Sequence, residues 1–243
     1  MYKRQAKIES ERTIQMGNGN RGNIMIIKNG LVFTPEGKFE KKDLYVEGEY
    51  VAKETTDNKE VEAEGCYVIP GLVDIHFHGC VRHDMCDGTE ESIQALADYE
   101  AANGVLAICP ATMTIPEEEL FQAMKAAKEH KNGKGADLVG INMEGPFINK
   151  EKKGAQKEED IKLADVELFH KLQEAAGGLI KLVDLAPETE GAMDFINQVK
   201  DEVHVSIAHT MADYDTASEA IRRGADHILS LIHISEPTRH LRI

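Results

Sequence analysis

The run Val68-Ile69-Pro70-Gly71-Leu72-Val73-Asp74-Ile75-His76-Phe77-His78-Gly79 constrains this chain more than any other stretch. An apolar, β-branched segment ends in two histidines spaced His-x-His. Side chains alternate across a strand, so His76 and His78 leave it on the same face. Two imidazoles on one side of a strand end can grip a single divalent metal. They can also be two ordinary strand-end histidines, and the bare motif divides evenly between these readings. Asp74 tips the balance towards metal. It shares their face and could orient an imidazole from behind.

From Pro70 onward the pattern alternates strand and helix. Strands are expected at Leu72–Ile75, Val105–Cys109, Leu138–Met143, Ile180–Leu185 and Val203–Ala208, each apolar enough for a buried parallel sheet. Helices are expected at Glu90–Asn103, Pro116–His130, Ile161–Ala176, Gly191–Lys200 and Thr216–Arg223. Capping boxes are expected at Thr114/Glu117 and Thr216/Glu219, and Gly177-Gly178 and Gly224 should stop their helices. Such alternation suits a TIM-type barrel or a doubly wound sheet. No Gly-x-Gly-x-x-Gly turn follows an early strand, which weakens the dinucleotide-binding sheet. A complete (β/α)8 barrel takes about 250 residues, and the strand–helix region stops near a sixth strand at Asp226. The expected fold is therefore α/β: an incomplete TIM-type (β/α)8 barrel over 70–228. A small β-sandwich-like layer over 25–69 precedes it, with strands at Ile24–Ile27, Leu31–Phe33, Asp43–Glu47 and Tyr50–Ala52. Asn29-Gly30 suits a tight hairpin turn there.

Both ends read as foreign. Leu229 to Arg239 breaks the preceding pattern and resembles a translated transposase sequencing adapter; Met1 to Gln5 resembles the same adapter read from the other end. Residues 1–24 are expected to be non-native or disordered and 229–243 non-native, with Met25 a natural start. His233 and His240 are accordingly not counted as ligands.

Composition narrows the partners. The formal charge of −15 argues against nucleic acid and anionic membrane. No run reaches membrane-spanning length, and the expected location is the cytoplasm. Cys66, Cys80, Cys86 and Cys109 show no Cys-x-x-Cys spacing and read as free thiols in a reducing compartment.

Chemistry gathers at strand C-terminal ends. His76 and His78 end the first barrel strand, Glu144 the third, and His209 the fifth. In a barrel these ends converge on one face. Taken singly, Glu144 could be a loop carboxylate and His209 a satisfied core histidine. Their joint placement on alternate strands favours one divalent metal site of Glu144, His209, His76 and His78. The residue types suit Zn²⁺ most simply, with Fe²⁺ or Mn²⁺ possible. A metal there makes water nucleophilic near neutral pH and polarises a carbonyl, so hydrolysis of an amide-like bond follows.

Pro70 to Gly79, Met143-Glu144-Gly145-Pro146-Phe147, Lys153-Gly154-Ala155 and Ala208-His209-Thr210 together resemble the amidohydrolase superfamily. Within it they are most similar to the N-acetylglucosamine-6-phosphate deacetylases, over about residues 25–228. The resemblance implies metal-dependent hydrolysis of N-acetylglucosamine 6-phosphate to glucosamine 6-phosphate and acetate, and a homo-oligomer in the full-length enzyme. It makes Glu144 and His209 ligands of the principal metal, and His76 and His78 ligands of a second. Ala155 would touch substrate through its backbone. Superfamily members that bridge two metals with a modified lysine carry it at the fourth strand's end, whereas Lys181 stands at the start. Ser230 occupies the place of a further ligand histidine, Gln156 stands where many relatives have histidine, and the catalytic aspartate lies beyond the chain. Two other readings stand beside this one. The chain could be another metal-dependent amidohydrolase, a cyclic amidase or deaminase. As the 243 residues stand, it could also be a non-catalytic metal-binding fragment.

Overall fold

The computed structural model describes residues 25–47, 50–54 and 59–229. The expectations for residues 1–24 and 230–243, Ser230, His233 and His240 among them, concern positions outside these. The first five strands, β1 (Met25–Phe33), β2 (Phe39–Glu47), β3 (Tyr50–Ala52), β4 (Glu60–Glu62) and β5 (Tyr67–Val68), form one mixed sheet. β1 lies at its centre, antiparallel to β2 and parallel to both β4 and β5. Met25, Ile27, Val32, Val46, Ala63 and Val68 form its own apolar cluster. Among the described residues these five strands hydrogen-bond into one sheet.

The Asn29-Gly30 hairpin does not form. β1 runs straight through it with an irregularity in register between Ile27 and Gly30. Asn29 takes the left-handed conformation (φ 61°) and its N–H donates to Asp43 Oδ1 at 2.9 Å. The pair makes a bulge rather than a turn because asparagine and glycine tolerate positive φ in either setting. The reversal falls instead on Pro35-Glu36-Gly37, with Thr34 and Lys38 bonded across it.

The remaining elements alternate: β6 (Leu72–Asp74), the short pair β7 (Gly79–Cys80) and β8 (His83–Asp84), α1 (Glu90–Ala102), β9 (Val105–Ile108), α2 (Glu117–Glu129), β10 (Asp137–Leu138), β11 (Ile141–Met143), α3 (Val166–Ala175), β12 (Ile180–Leu185), α4 (Ala192–Val199), β13 (His204–Ile207), α5 (Tyr214–Arg223) and β14 (His227–Ile228). The parallel strands lie side by side in chain order, β6–β9–β10 and then β11–β12–β13–β14. A parallel bridge between Ala111 and Asn142 joins the two groups.

The expected strand Leu138–Met143 is thus two strands. Val139 N bonds to the Ile108 carbonyl and Ile141 N to the Leu179 carbonyl, so past Gly140 the chain gains β12 as a partner while Asn142 N still bonds to the Pro110 carbonyl. A Cβ on Gly140 would stand 2.5 Å from the Lys181 side chain and 3.0 Å from Cys109 Sγ. Only glycine passes between them. No closed barrel is present among the described residues. β6 and β14 form the two ends of the arc, and Val73 there is exposed.

Asp165 caps α3 by accepting from Leu168 N, so Ile161–Ala164 precede the helix rather than belong to it. Neither expected capping box forms. α2 begins at Pro116 without a side-chain cap, and Asp213 rather than Thr216 caps α5. Thr114 N instead donates to Gln156 Oε1, a tertiary contact that outcompetes the local cap. The helices bury their apolar faces against the sheet. Phe147, Phe169 and Phe195 stack at centroid distances of 5.2 and 5.7 Å.

Two stability measurements check this packing. Phe195→Ala should lower unfolding free energy by roughly 3–5 kcal/mol in a urea titration; a loss under about 1 kcal/mol would place the ring outside the core. His130, at the end of α2, is buried with neither ring nitrogen hydrogen-bonded, and burial lowers its pKa. Its contribution is complete above the unfolded value of about 6.5 and is lost as pH falls from there towards the lower folded value. His130→Leu should therefore flatten the decline in urea midpoint between pH 7.5 and 5.5. An identical decline in both proteins would contradict that assignment.

Candidate metal centre

β6 ends at Asp74, and the chain stays extended as Cys109 N and Ala111 N bond to the carbonyls of Asp74 and Phe77. This extension carries the alternation past the strand's end, so both imidazoles face inward, 5.3 Å apart. Glu144 follows β11 and is buried, 3 % exposed. Gly145 gives the chain its turn there at φ 76°, and a Cβ on it would collide with the Thr114 side chain. His209 follows β13.

Glu144 is the meeting point. Its Oε1 accepts from Gln156 Nε2 at 2.6 Å and lies 2.8 Å from His209 Nε2. Its Oε2 lies 3.0 Å from His76 Nε2 and 3.2 Å from His78 Nε2. Neither N–H points at Oε2, which is left a buried oxygen without a donor. A carboxylate oxygen that imidazole nitrogens approach without hydrogen-bonding is the arrangement a cation between them would produce. Ligand atoms of His76, His78 and Glu144 lie within 4.8 Å of one another, close enough for one ion. His209 reaches the other carboxylate oxygen, so the four residues form two faces of one carboxylate rather than a single ring.

The charges reinforce one another. Burial alone would raise the Glu144 pKa, but the imidazoles of His209, His76 and His78 outweigh it and hold the group well below the usual carboxylate range. The carboxylate in turn raises His209 and His78 against the opposing effect of burial.

His209 Nδ1 lies 2.7 Å from the Lys152 carbonyl, which can only accept. Nδ1 therefore carries a proton, and in the neutral ring Nε2 keeps its lone pair for a metal. Asn142 Nδ2 lies 3.0 Å from His76 Nδ1 while Asn142 Oδ1 has no partner. Asn142 Nδ2 also lies 3.4 Å from the Ile75 carbonyl, so the amide ties the His76 ring to the backbone before it.

The structure brings together His76, His78, Glu144 and His209. Asp74 behaves differently from expectation: its Oδ1 accepts the backbone N–H of His76 at 2.9 Å, and the imidazole is held by Asn142 instead. Lys181 is exposed and bonds to the Gly178 carbonyl, away from the site. Ala155 is exposed beside buried Gln156. Sequence reasoning missed Asn142, the clamp by Gln156, and Asp184. Asp184 is fully buried on β12 opposite Ser206. Burial pushes its carboxyl up to about 7. Only its position in Leu182-Val183-Asp184-Leu185, a charge inside an apolar strand, signals it in the sequence.

No family model matches the chain. Among curated proteins it is 35% identical over 222 residues to the N-acetylglucosamine-6-phosphate deacetylase of Bacillus subtilis, covering 88% of this chain and 54% of that protein. The same comparison gives 27% over 224 residues with the N-acetylglucosamine-6-phosphate deacetylase of Lysinibacillus sphaericus, covering 89% and 58%. Among solved structures, the N-acetyl-D-glucosamine-6-phosphate deacetylase of Mycobacterium smegmatis superposes with a TM-score of 0.75 at 24% identity, covering 85% of this chain and 56% of that one. The chain is related to these deacetylases along most of its length, and spans about half the length of the curated relatives it matches.

Gln156→Leu removes the amide that donates to Glu144 Oε1. It should weaken Zn²⁺ binding about 10–100-fold in equilibrium dialysis. Unchanged affinity would mean that Glu144 is held in place without it.

Proposed function

We propose that the protein to which this chain corresponds hydrolyses N-acetylglucosamine 6-phosphate to glucosamine 6-phosphate and acetate in a metal-dependent reaction. The convergence of His76, His78 and His209 on the buried Glu144 carboxylate carries this reading. Its kinship with proteins named for that reaction supports the substrate. The parallel strands in chain order support an incomplete (β/α)8 barrel over 70–228, preceded by a separate small β domain over 25–69.

Glu144 and His209 would hold the principal metal, and His76 and His78 a second or the shared ion. Zn²⁺ is the simplest occupant, with Fe²⁺ and Mn²⁺ compatible with the same donors. When bound, the metal polarises the amide carbonyl and lowers the pKa of water. The chain's own residues prepare that chemistry. Asp74 fixes the backbone under His76, Gln156 orients Glu144, and the Lys152 carbonyl sets the tautomer of His209. Ala155, exposed in the loop that also offers the Lys152 carbonyl to His209, would meet the sugar through its backbone. Water adds to the acetamido carbonyl carbon, the C–N bond breaks, and the amine nitrogen takes the proton. We place the protein in the cytoplasm as a homo-oligomer; no helix of the described residues is long and apolar enough to cross a membrane.

In the full-length protein, Glu144→Gln should abolish acetate release and lower the metal content measured by mass spectrometry. Wild-type metal stoichiometry in that variant would count against Glu144 as a ligand. The 243-residue chain by itself should release acetate no faster than a metal-free blank, and metal-dependent turnover by it would refute that expectation.

A further inference from the structure

His209 adopts a left-handed backbone conformation, φ 43°. A side chain with a Cβ takes that conformation rarely, histidine more readily than most, and holds it where its surroundings favour it. The restraint is visible on both sides of the residue. Before it, Ala208 N bonds to the Leu185 carbonyl at 3.0 Å; at it, the His209 carbonyl accepts from Asn149 N at 3.0 Å. After it, two donors converge on one carboxylate, that of Glu188 in the turn that follows β12. Met211 N donates to Glu188 Oε1 at 2.6 Å and Thr210 Oγ1 donates to Oε2. The same Oε1 accepts from Asn149 Nδ2 at 2.7 Å. Thr210 Oγ1 also accepts from Ala212 N at 2.9 Å, which closes the loop on itself.

We infer that Glu188 is a positioning residue that sets the His209 imidazole against Glu144. It ties the loop after β13 to Asn149, in the loop after β11. Those loops carry the two groups that meet at the site: Glu144 opens one, and His209 opens the other. A carboxylate suits this task because it accepts from all three donors at once, which no neutral side chain of its size can do. Glu188 touches neither the imidazole nor the metal ligands and acts through the backbone it holds. The inference rests on the proposed metal reading for its consequence in binding, but not for its geometry.

The test compares the wild-type chain with Glu188→Ala, Glu188→Gln and Thr210→Val. In metal-free protein, long-range ¹⁵N–¹H correlation spectra should show His209 with distinct, locked Nδ1 and Nε2 signals. Glu188→Ala should collapse these towards the averaged values of a solvent-exposed histidine. Glu188→Gln, which can still accept from Met211, should retain them in part, as should Thr210→Val. Zn²⁺ affinity by competition with a chelator should fall about 10–100-fold in Glu188→Ala and less in the other two. Wild-type His209 signals and affinity in Glu188→Ala would overturn the inference. If that variant does not fold, unchanged signals in both Glu188→Gln and Thr210→Val would overturn it equally. If wild-type chain takes up no Zn²⁺, the metal reading fails, while the His209 signals still decide the role of Glu188.

Discussion

A buried carboxylate cannot keep its charge without compensation, and Glu144 draws its compensation from three imidazoles on two distant parts of the chain. His76 and His78 come from the end of β6, and His209 from the end of β13, 65 residues further on in sequence than Glu144. Desolvating an ion costs several kcal/mol in a real protein interior, so the carboxylate is stable there only while these imidazoles, or a cation among them, face it. The site therefore couples the C-terminal ends of β6, β11 and β13 to one another. Loss of any one contact leaves charge unpaired in a place water barely reaches.

The architecture makes this meeting possible. Parallel strands in chain order send all their C-terminal ends to the same side. The helices between them fill the outer layer and leave the rim to loops. The loops are then fixed by polar contacts that owe little to local sequence. Gln156 spans from Glu144 to the Thr114 N–H, Lys152 offers its carbonyl to His209, and Glu188 gathers Asn149, Thr210 and Met211. Asp184 lies beneath the same rim, opposite Ser206, whose hydroxyl meets His227 Nδ1 at 2.9 Å. Asn142, Glu144, Gln156, Asp184 and Ser206 thus bring buried polar groups close to the rim of an interior built mostly from aliphatic and aromatic side chains.

Much of this was legible in the residues. The helices at 90–102, 192–199 and 214–223 fall within a residue or two of their expected positions, because their apolar period and terminal glycines are strong local signals. β12 matches its expected span, Ile180–Leu185, since a continuous apolar run has one comfortable home in a parallel sheet. The local devices fared worse. Asn29-Gly30 bulges instead of turning, the Thr114 cap yields to Gln156, and Leu138–Met143 divides at Gly140. In each case a short-range preference worth about 1 kcal/mol met a tertiary contact of equal or greater weight.

The sequence by itself determined which groups could do chemistry and where each would stand: histidines and a glutamate at the ends of alternate strands, in an alternating α/β chain. Strand period and helix period are local properties, and a reader of residues can follow them. Only the tertiary structure decided how those groups are held. It assigned one oxygen of Glu144 to His209 and the other to the His76–His78 pair. It also replaced Asp74 by Asn142 behind His76, buried Asp184, and bent His209 into a left-handed backbone under the grip of Glu188. These are contacts between residues far apart in the chain, selected by packing and by the need to satisfy buried charge, and no pattern of neighbours in sequence encodes them.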